Sequence, residues 1–188
     1  MRIIDIHAHV DVCEPLNWYD TAEKLITLMD EAGIEKAVVS AYLNLPGPDM
    51  TCGRRLWDSI EPYKERFMMF LRMDPWFGQE AIDFLEDSCR KYPVRGVKLH
   101  PAHYTLHPYG ELTVRLCRKA GELGLPVLCH CGDEMMCLPL QIGELAAQCP
   151  DTVIILAHMG GYAHNRDAIE VAKKYKNIYI DTSEVPLV

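Results

Sequence analysis

The first strand-like segment of the chain, IIDIHAHV at residues 3–10, carries ionisable side chains at alternate positions. Asp5, His7 and His9 are two residues apart, and residues i and i+2 of a strand face the same side of a sheet. Burying two histidines and an aspartate on one strand face is unfavourable unless they have a partner. Two imidazoles on one rigid strand can hold a cation. The spacing therefore favours a metal site, although a histidine pair of this kind also occurs in ordinary cores.

The same pattern recurs in three later segments. VKLHP carries Lys98 and His100, LCHCGD carries His130, and LAHMGG carries His158. Each histidine interrupts an apolar run near its end, where the active sites of parallel α/β barrels form. One buried histidine is more often structural than functional. Four strands that each place a histidine at the same height are difficult to explain by packing, so together they indicate a shared site.

Composition restricts the function. The chain has 188 residues and a net charge of −8, with 49% hydrophobic and 24% charged residues. Nucleic-acid binding needs a basic face, so the acidic balance argues against it. No apolar run is long enough to span a bilayer, and no secretory signal precedes the first strand. Eight cysteines without a CxxC pair indicate a reduced, cytoplasmic protein.

Strand-like and helix-like segments alternate along the chain, which predicts right-handed βαβ units and a parallel sheet. No GxGxxG turn follows the first strand, so a (β/α)8 TIM-barrel type of fold suits the pattern better than a dinucleotide-binding fold. Seven strands are visible, which predicts a single domain over residues 1–188, truncated after strand 7. The predicted strands are 2–10, 36–42, 67–74, 94–101, 126–132, 152–160 and 177–183.

The segments between the strands have helical periodicity. TAEKLITLMDEAG predicts a helix that ends at Gly33 and places Leu25, Leu28 and Met29 on one face. Residues 49–62 form a weaker predicted helix that ends at Pro62. The Pro-rich segment after the fourth strand, which contains two further histidines, is predicted to be a loop.

Taken in chain order, DIHAH, GVKLHP, CHCGD and AHMGG resemble the strand-end motifs of the amidohydrolase superfamily. The nearest branch is the amidohydrolase-related group that includes aminocarboxymuconate semialdehyde decarboxylase. The resemblance covers essentially the whole chain. It implies an α/β barrel and one divalent metal ion, usually zinc, whose bound water attacks the substrate.

The resemblance also implies roles for individual residues. His158 takes the position of the histidine that activates or orients the water. In the family, an aspartate after an eighth strand completes the ligand set. Only seven strands are predicted here, and Asp181 lies at the end of the seventh, so it is not the equivalent of that aspartate. The chain by itself is therefore expected to be a weak catalyst. The residues expected to bind the metal are His7, His9 and His130.

The remaining candidates are expected to surround the metal site. His100, Lys98 and Arg72 are expected to bind substrate, with a structural ion pair as the alternative for Lys98. Asp5 and Asp133 are expected to accept hydrogen bonds from ligand imidazoles. Cys129 and Cys131 flank His130, so strand alternation points them away from the site.

Several functions fit this reading. The leading interpretation is a metal-dependent hydrolase of a small amide, ester or lactone. A nonoxidative decarboxylase on the same site is the nearest alternative, and a catalytically impaired barrel acting as a binding or assembly subunit is another. A TatD-type nuclease is less favoured, because GVKLHP stands where that group has a glutamate. An uncovered sheet edge would also favour self-association into a homo-oligomer.

Overall fold

The computed structural model describes residues 2–42, 51–132 and 134–185. The chain divides into two compact units, the first formed by residues 1–73 and 84–95 and the second by residues 74–83 and 96–188. Within each unit the long-range order comes from parallel strands joined by helices. Asp133, one of the predicted partners of the ligand imidazoles, lies outside the described residues.

The first unit contains three parallel strands and one hairpin. Its strands are β1 (Ile4–His9), β2 (Asp11–Cys13), β3 (Trp18–Asp20), β4 (Lys36–Ser40) and β5 (Phe67–Arg72). Strand β4 pairs in parallel with both β1 and β5, whereas β2 and β3 form an antiparallel hairpin. The helices are α1 (Ala22–Ala32), α2 (Cys52–Ile60) and the part of α3 (Gln79–Lys91) that begins at residue 84.

Helix α1 shows how local sequence sets an element's limits. The hydroxyl of Thr21 accepts a hydrogen bond from the backbone N–H of Lys24 (3.3 Å), which caps the first turn. Gly33 ends the helix in the left-handed region (φ 69°), as the sequence predicted. Met29 is buried as expected, but Leu28 is 51% exposed. Its assignment to the buried face was wrong, because the core contacts a narrower stripe of the helix than the periodicity implies.

The second unit repeats the strand–helix pattern. Its strands are β6 (Val94–Leu99, from residue 96), β7 (Val127–Cys129), β8 (Ile154–Leu156) and β9 (Ile178–Ile180). They pair in parallel, each with the next in the chain. Its helices are α4 (Pro101–Tyr104), α5 (Glu111–Glu122), α6 (Pro139–Gln148) and α7 (Asn165–Lys174). Strand β7 is a continuous apolar run because both of its faces are covered.

The seven predicted strands all contain an observed parallel strand. Two features differ from the sequence prediction. The hairpin of β2 and β3 was not predicted, and the short helix α4 occupies part of the segment predicted to be a loop. Short 3₁₀ turns at Glu14–Leu16, Glu61–Tyr63, Pro75–Phe77 and Ala157–Gly160 complete the described elements.

Two further predictions concern the environment of the protein. Among the helices that the structure describes, none is both long enough and apolar enough to cross a bilayer. All eight cysteines lie in described segments, and none of them is joined in a disulfide.

The side chain of Asn177 holds the end of α6 and the connection from α6 to β8 in the second unit. Its side-chain amide Nδ2 lies 3.2 Å from the carbonyl oxygen of Ala146, 3.0 Å from that of Cys149 and 3.0 Å from that of Thr152. Carbonyl groups at the end of α6 and in the following turn thereby obtain hydrogen bonds that the helix ladder cannot give them. The residue that precedes β9 therefore fixes the connection from α6 to β8.

We expect Asn177→Ala to lower the free energy of unfolding by about 2 kcal/mol, because it leaves partly buried carbonyl groups without this donor. Asn177→Asp should destabilise the protein more, since it places a carboxylate against three carbonyl oxygens. Urea denaturation of both variants measures the effect, with Lys176→Ala at the neighbouring exposed position as the control. Equal stability of Asn177→Ala and the parent protein would contradict this role.

Candidate active site

The predicted histidine pair lies on an irregular part of β1. Asp5 pairs with Ala37 and Ala8 pairs with Val39, so two residues of β1, including His7, oppose a single residue of β4. This β-bulge interrupts the alternation of the strand and re-aims its side chains, as bulges beside functional sites often do. The imidazoles of His7 and His9 meet edge to face, with ring centroids 5.1 Å apart. The structure thus brings these two predicted ligands together.

The end of β4 holds the imidazole of His9. Its Nδ1 lies 3.2 Å from the backbone carbonyl oxygen of Ser40 and 3.3 Å from the Ser40 hydroxyl. A carbonyl oxygen can only accept a hydrogen bond, so Nδ1 carries the proton and Nε2 carries the lone pair. This second hydrogen bond is the usual support of a metal-binding histidine.

Asp5 has a different partner from the one expected. Its Oδ1 accepts a hydrogen bond from the backbone N–H of His7 (2.9 Å). The carboxylate therefore stabilises the backbone of the bulge. Sequence reasoning did not identify Ser40, whose backbone carbonyl is the acceptor for His9, because a backbone group leaves no signal in residue type.

Other polar groups of the first unit surround the end of β1. Asp11 is buried and accepts a hydrogen bond from the backbone N–H of Tyr42 (2.8 Å). A cavity of about 320 Å³ adjoins this part of the first unit, and Asp11, Arg55 and Ser59 form part of its lining. Arg72, predicted to bind substrate, ends β5 and is only 1% exposed.

In the second unit, His158 occupies a strained turn directly after β8. His158 (φ 60°, ψ 13°) and Met159 (φ 49°, ψ 33°) are both in the left-handed region, which is unusual for residues other than glycine. The amide of Asn165 donates to the carbonyl oxygens of Met159 (3.0 Å) and Gly161 (2.9 Å) and so supports the turn. Such strain persists only where surrounding contacts impose it, and it is concentrated at functional sites.

The loop after β9 fixes the orientation of the His158 ring. Nδ1 of His158 lies 3.1 Å from the carbonyl oxygen of Ser183 and 3.2 Å from the Ser183 hydroxyl. That hydroxyl in turn donates to Asp181 Oδ2 (2.7 Å). The geometry assigns the proton to Nδ1 and leaves Nε2 able to accept a proton. Asp181 is buried and acts on His158 through Ser183.

The ends of β6 and β7 form a stack of imidazoles. The rings of His100 and His130 are parallel within 8° and 3.8 Å apart, and His103 stacks on the other face of His100 at 3.6 Å. The ring centroid of His158 lies 4.8 Å from that of His130. The structure thus brings together three of the predicted site residues, and His103, from the segment predicted to be a loop, stacks on His100. Lys98 is 1% exposed, so its ammonium group is fully enclosed.

A loop after β7 adds two ligand-type residues that the sequence reasoning missed. Glu134 Oε2 lies 3.1 Å from His130 Nε2 and 3.9 Å from His100 Nε2. Ligand atoms of His100, His130, Glu134 and Cys137 all lie within 4.8 Å of one another. A signal was available, since a carboxylate and a thiol follow His130 by four and seven residues. Cys129 and Cys131, by contrast, are fully buried and belong to no such group.

The surroundings of Cys137 keep its thiol protonated when no cation is bound. The pKa of this thiol is raised to about 12, chiefly by burial and also by the Glu134 carboxylate, which accepts a hydrogen bond from it. A backbone hydrogen bond from Ala102 and the charge of Lys98 act in the opposite direction. Burial likewise raises the pKa of Cys129 well above its usual range.

These residues fit a divalent metal. The donors of the predicted site are nitrogens of imidazole rings. One of these rings, that of His9, has its other nitrogen hydrogen-bonded to a backbone carbonyl. Imidazole suits zinc as well as manganese, iron and nickel. The donor set and its support are those of a metal site.

Comparisons with known proteins identify the fold. An uncharacterised TIM-barrel protein from Bordetella bronchiseptica superimposes with a TM-score of 0.79 at 16% identity, covering 98% of this chain and 76% of that one. A probable 2-pyrone-4,6-dicarboxylic acid hydrolase from Acinetobacter baumannii, with bound citric acid, gives 0.68 at 18% identity, with 97% and 70% covered. A dihydroxybenzoic acid decarboxylase from Polaromonas sp. JS666, with bound manganese and the inhibitor 2-nitroresorcinol, gives 0.70 at 15% identity, with 96% and 78% covered. The fold is therefore of the α/β TIM-barrel type, as predicted.

The sequence identifies the family. The profile of the amidohydrolase family matches residues 4–186, so the chain belongs to the amidohydrolases. A search of curated protein sequences found no match. The prediction of an amidohydrolase-type enzyme is confirmed, and the chain is an enzyme of the hydrolase kind within a family fold that also includes decarboxylases.

The two histidines that contact backbone carbonyls give a testable prediction. In metal-free protein, at a pH where imidazoles are neutral, we expect His9 and His158 to carry their proton on Nδ1, because each Nδ1 faces a carbonyl oxygen. Two-bond ¹H–¹⁵N correlation spectra distinguish the tautomers, and the exposed His107 serves as the reference ring. A proton on Nε2 of either histidine would contradict the assigned orientation.

Proposed function

We propose that the chain is a metal-dependent hydrolase that cleaves a small amide, ester or lactone with water. Its metal ligands are His7, His9 and His130, its metal is zinc, and His158 is the catalytic base. Family membership supports the hydrolase class. The observation that carries the ligand assignment is the contact of His9 Nδ1 with the Ser40 carbonyl, because it presents Nε2 as a donor with a defined direction.

The metal would supply Lewis-acid chemistry by polarising the substrate carbonyl and making water a stronger nucleophile near neutral pH. The protein's own residues position the reactants. His158 accepts a proton from the attacking water at Nε2, because its Nδ1 is already hydrogen-bonded to Ser183. Its imidazole is 12% exposed, so it is accessible to a small molecule but shielded from bulk solvent.

Buried cations favour a substrate with a negative charge. Lys98 and Arg72 are each 1% exposed, and a buried cation attracts an anionic group more strongly than an exposed one does. We assign them, with His100, to substrate binding, where they would attract a carboxylate group. Two of the structural neighbours are named for carboxylic acids, a pyrone dicarboxylic acid and a dihydroxybenzoic acid, which are also anionic at neutral pH.

The proposal extends to the surroundings of the enzyme. Eight cysteines without a disulfide are consistent with a reducing compartment such as the cytoplasm. Tyr179 on β9 is 58% exposed, and Ile4 on β1 is 44% exposed. A second copy of the chain could cover either strand, so we propose self-association as well.

Metal content tests the ligand assignment. We expect purified protein to hold a divalent metal, and the double variant His7→Ala, His9→Ala to lose it, because the variant removes both imidazoles of the β1 bulge. Elemental analysis by mass spectrometry measures the metal and identifies it. His107→Ala is the matched control, since that histidine is exposed and lies outside the assigned set. Metal that remains in the double variant would refute the ligand assignment.

Turnover tests the reaction and the role of His158. In a panel of anionic lactones, esters, amides and aromatic carboxylates, we expect a product that contains ¹⁸O from labelled water. His158→Asn should retain the metal but lower kcat by about 10²- to 10⁴-fold, the usual contribution of a general base.

Other outcomes of the same panel would point to other functions. Release of carbon dioxide without incorporation of ¹⁸O would replace the hydrolase with a decarboxylase. Bound metal without turnover on any compound would instead support a binding or assembly role for the chain.

A further inference from the structure

A second group of ligand-type side chains lies in the second unit and includes the histidine of this unit that is assigned to the catalytic metal. It consists of His100 at the end of β6, His130 at the end of β7, and Glu134 and Cys137 in the following loop. The ligand atoms of all four lie within 4.8 Å of one another. This group, the β6–β7 cluster, places a thiol, a carboxylate and two imidazoles around one point.

The loop after β7 is built to hold this geometry. The backbone N–H of Gly132 donates to the carbonyl oxygen of Cys137 (3.1 Å), and the N–H of Cys137 donates to that of Glu134 (3.1 Å). Met136 adopts a left-handed conformation (φ 67°), which tightens the turn. The loop therefore turns back on itself and returns Cys137 to the cluster, where it is fully buried.

The imidazoles of the cluster are also fixed. The backbone N–H of His130 donates to the carbonyl oxygen of Leu99 (2.9 Å), which continues the strand ladder up to the site. The rings of His100 and His130 are parallel at 3.8 Å, and each has its Nε2 within 4 Å of the same Glu134 oxygen. Both rings thus direct the same nitrogen towards one carboxylate.

The chemistry of the ligands selects the ion. A thiolate, imidazoles and a carboxylate are the donors of tetrahedral zinc sites, and four protein ligands leave no position open for substrate. The two anionic ligands would balance the charge of a divalent ion. Glu134 is 52% exposed and gives the ion a route from solvent, whereas His100 is 3% exposed.

We propose that the β6–β7 cluster is a second, closed divalent-cation site of the zinc type, with Cys137 as its thiolate ligand. The cluster exists independently of the proposed function. Only its relation to catalysis rests on that proposal, because His130 belongs to both ligand sets. Filling the closed site would draw His130 towards Glu134 and link the availability of one catalytic ligand to the concentration of zinc.

Cobalt titration of the metal-free full chain tests the site without an activity assay. Cobalt bound to a thiolate gives an intense near-ultraviolet charge-transfer band, which imidazole and carboxylate ligands do not produce. We expect the parent protein to develop this band to saturation and to lose it when zinc is added. Cys137→Ser should abolish the band. Cys149→Ser is the matched control, because Cys149 is also buried in the second unit and donates to the backbone carbonyl of Val114, outside the cluster.

Two further variants keep the test decisive. If Cys137→Ser fails to fold, as judged by circular dichroism, Glu134→Gln replaces it, since this residue is half exposed; we expect its cobalt affinity to fall by at least about tenfold. The double variant His7→Ala, His9→Ala should retain the thiolate band, which separates this site from the catalytic one. No band in the parent protein, or a band that persists in Cys137→Ser, would overturn the proposal. Unchanged affinity in Glu134→Gln would also overturn it.

Discussion

The hydrogen bond between an imidazole Nδ1 and a backbone carbonyl is the interaction on which the proposed chemistry of this protein depends. It occurs in each compact unit, from His9 to Ser40 in the first and from His158 to Ser183 in the second. In both cases the acceptor comes from the neighbouring parallel strand or the loop that follows it. The parallel sheet therefore fixes which nitrogen bears the proton, and this decides whether Nε2 can bind a cation or accept a proton.

His7 and His158 both lie where the backbone departs from regular structure. His7 occupies a bulge of β1, which Asp5 stabilises by accepting from the backbone N–H of His7. His158 adopts a left-handed conformation that the amide of Asn165 supports through neighbouring carbonyls. Irregular backbone of this kind is unfavourable by itself, so the surrounding hydrogen bonds must offset it. The side chains that stabilise each turn are as specific to the site as the histidines are.

Sequence patterns predicted the parallel strands and the positions of the histidines at their ends, because both depend on regularities within short segments of the chain. Apolar runs located all seven parallel strands, and polar interruptions at their ends located His7, His9, His100, His130 and His158. The rest depends on contacts between distant residues. The bulge requires the register between β1 and β4, and the approach of Glu134 and Cys137 to His130 requires the shape of one loop. The exposure of Leu28 similarly depends on how wide a stripe of α1 the core covers.

The proposed catalytic ligand set is open and the β6–β7 cluster is closed, and His130 belongs to both. A catalytic ion must keep a position for water or substrate, so its protein ligands are few and hard to replace. The β6–β7 cluster offers four ligands, including a thiol whose burial and neighbouring carboxylate keep it protonated until a cation displaces the proton. Because His130 Nε2 already faces Glu134 at 3.1 Å, the proposed closed set would compete with the proposed catalytic set for this nitrogen. Because His130 belongs to both the β6–β7 cluster and the proposed catalytic ligand set, zinc bound in the cluster would lower the affinity of the catalytic set for its metal.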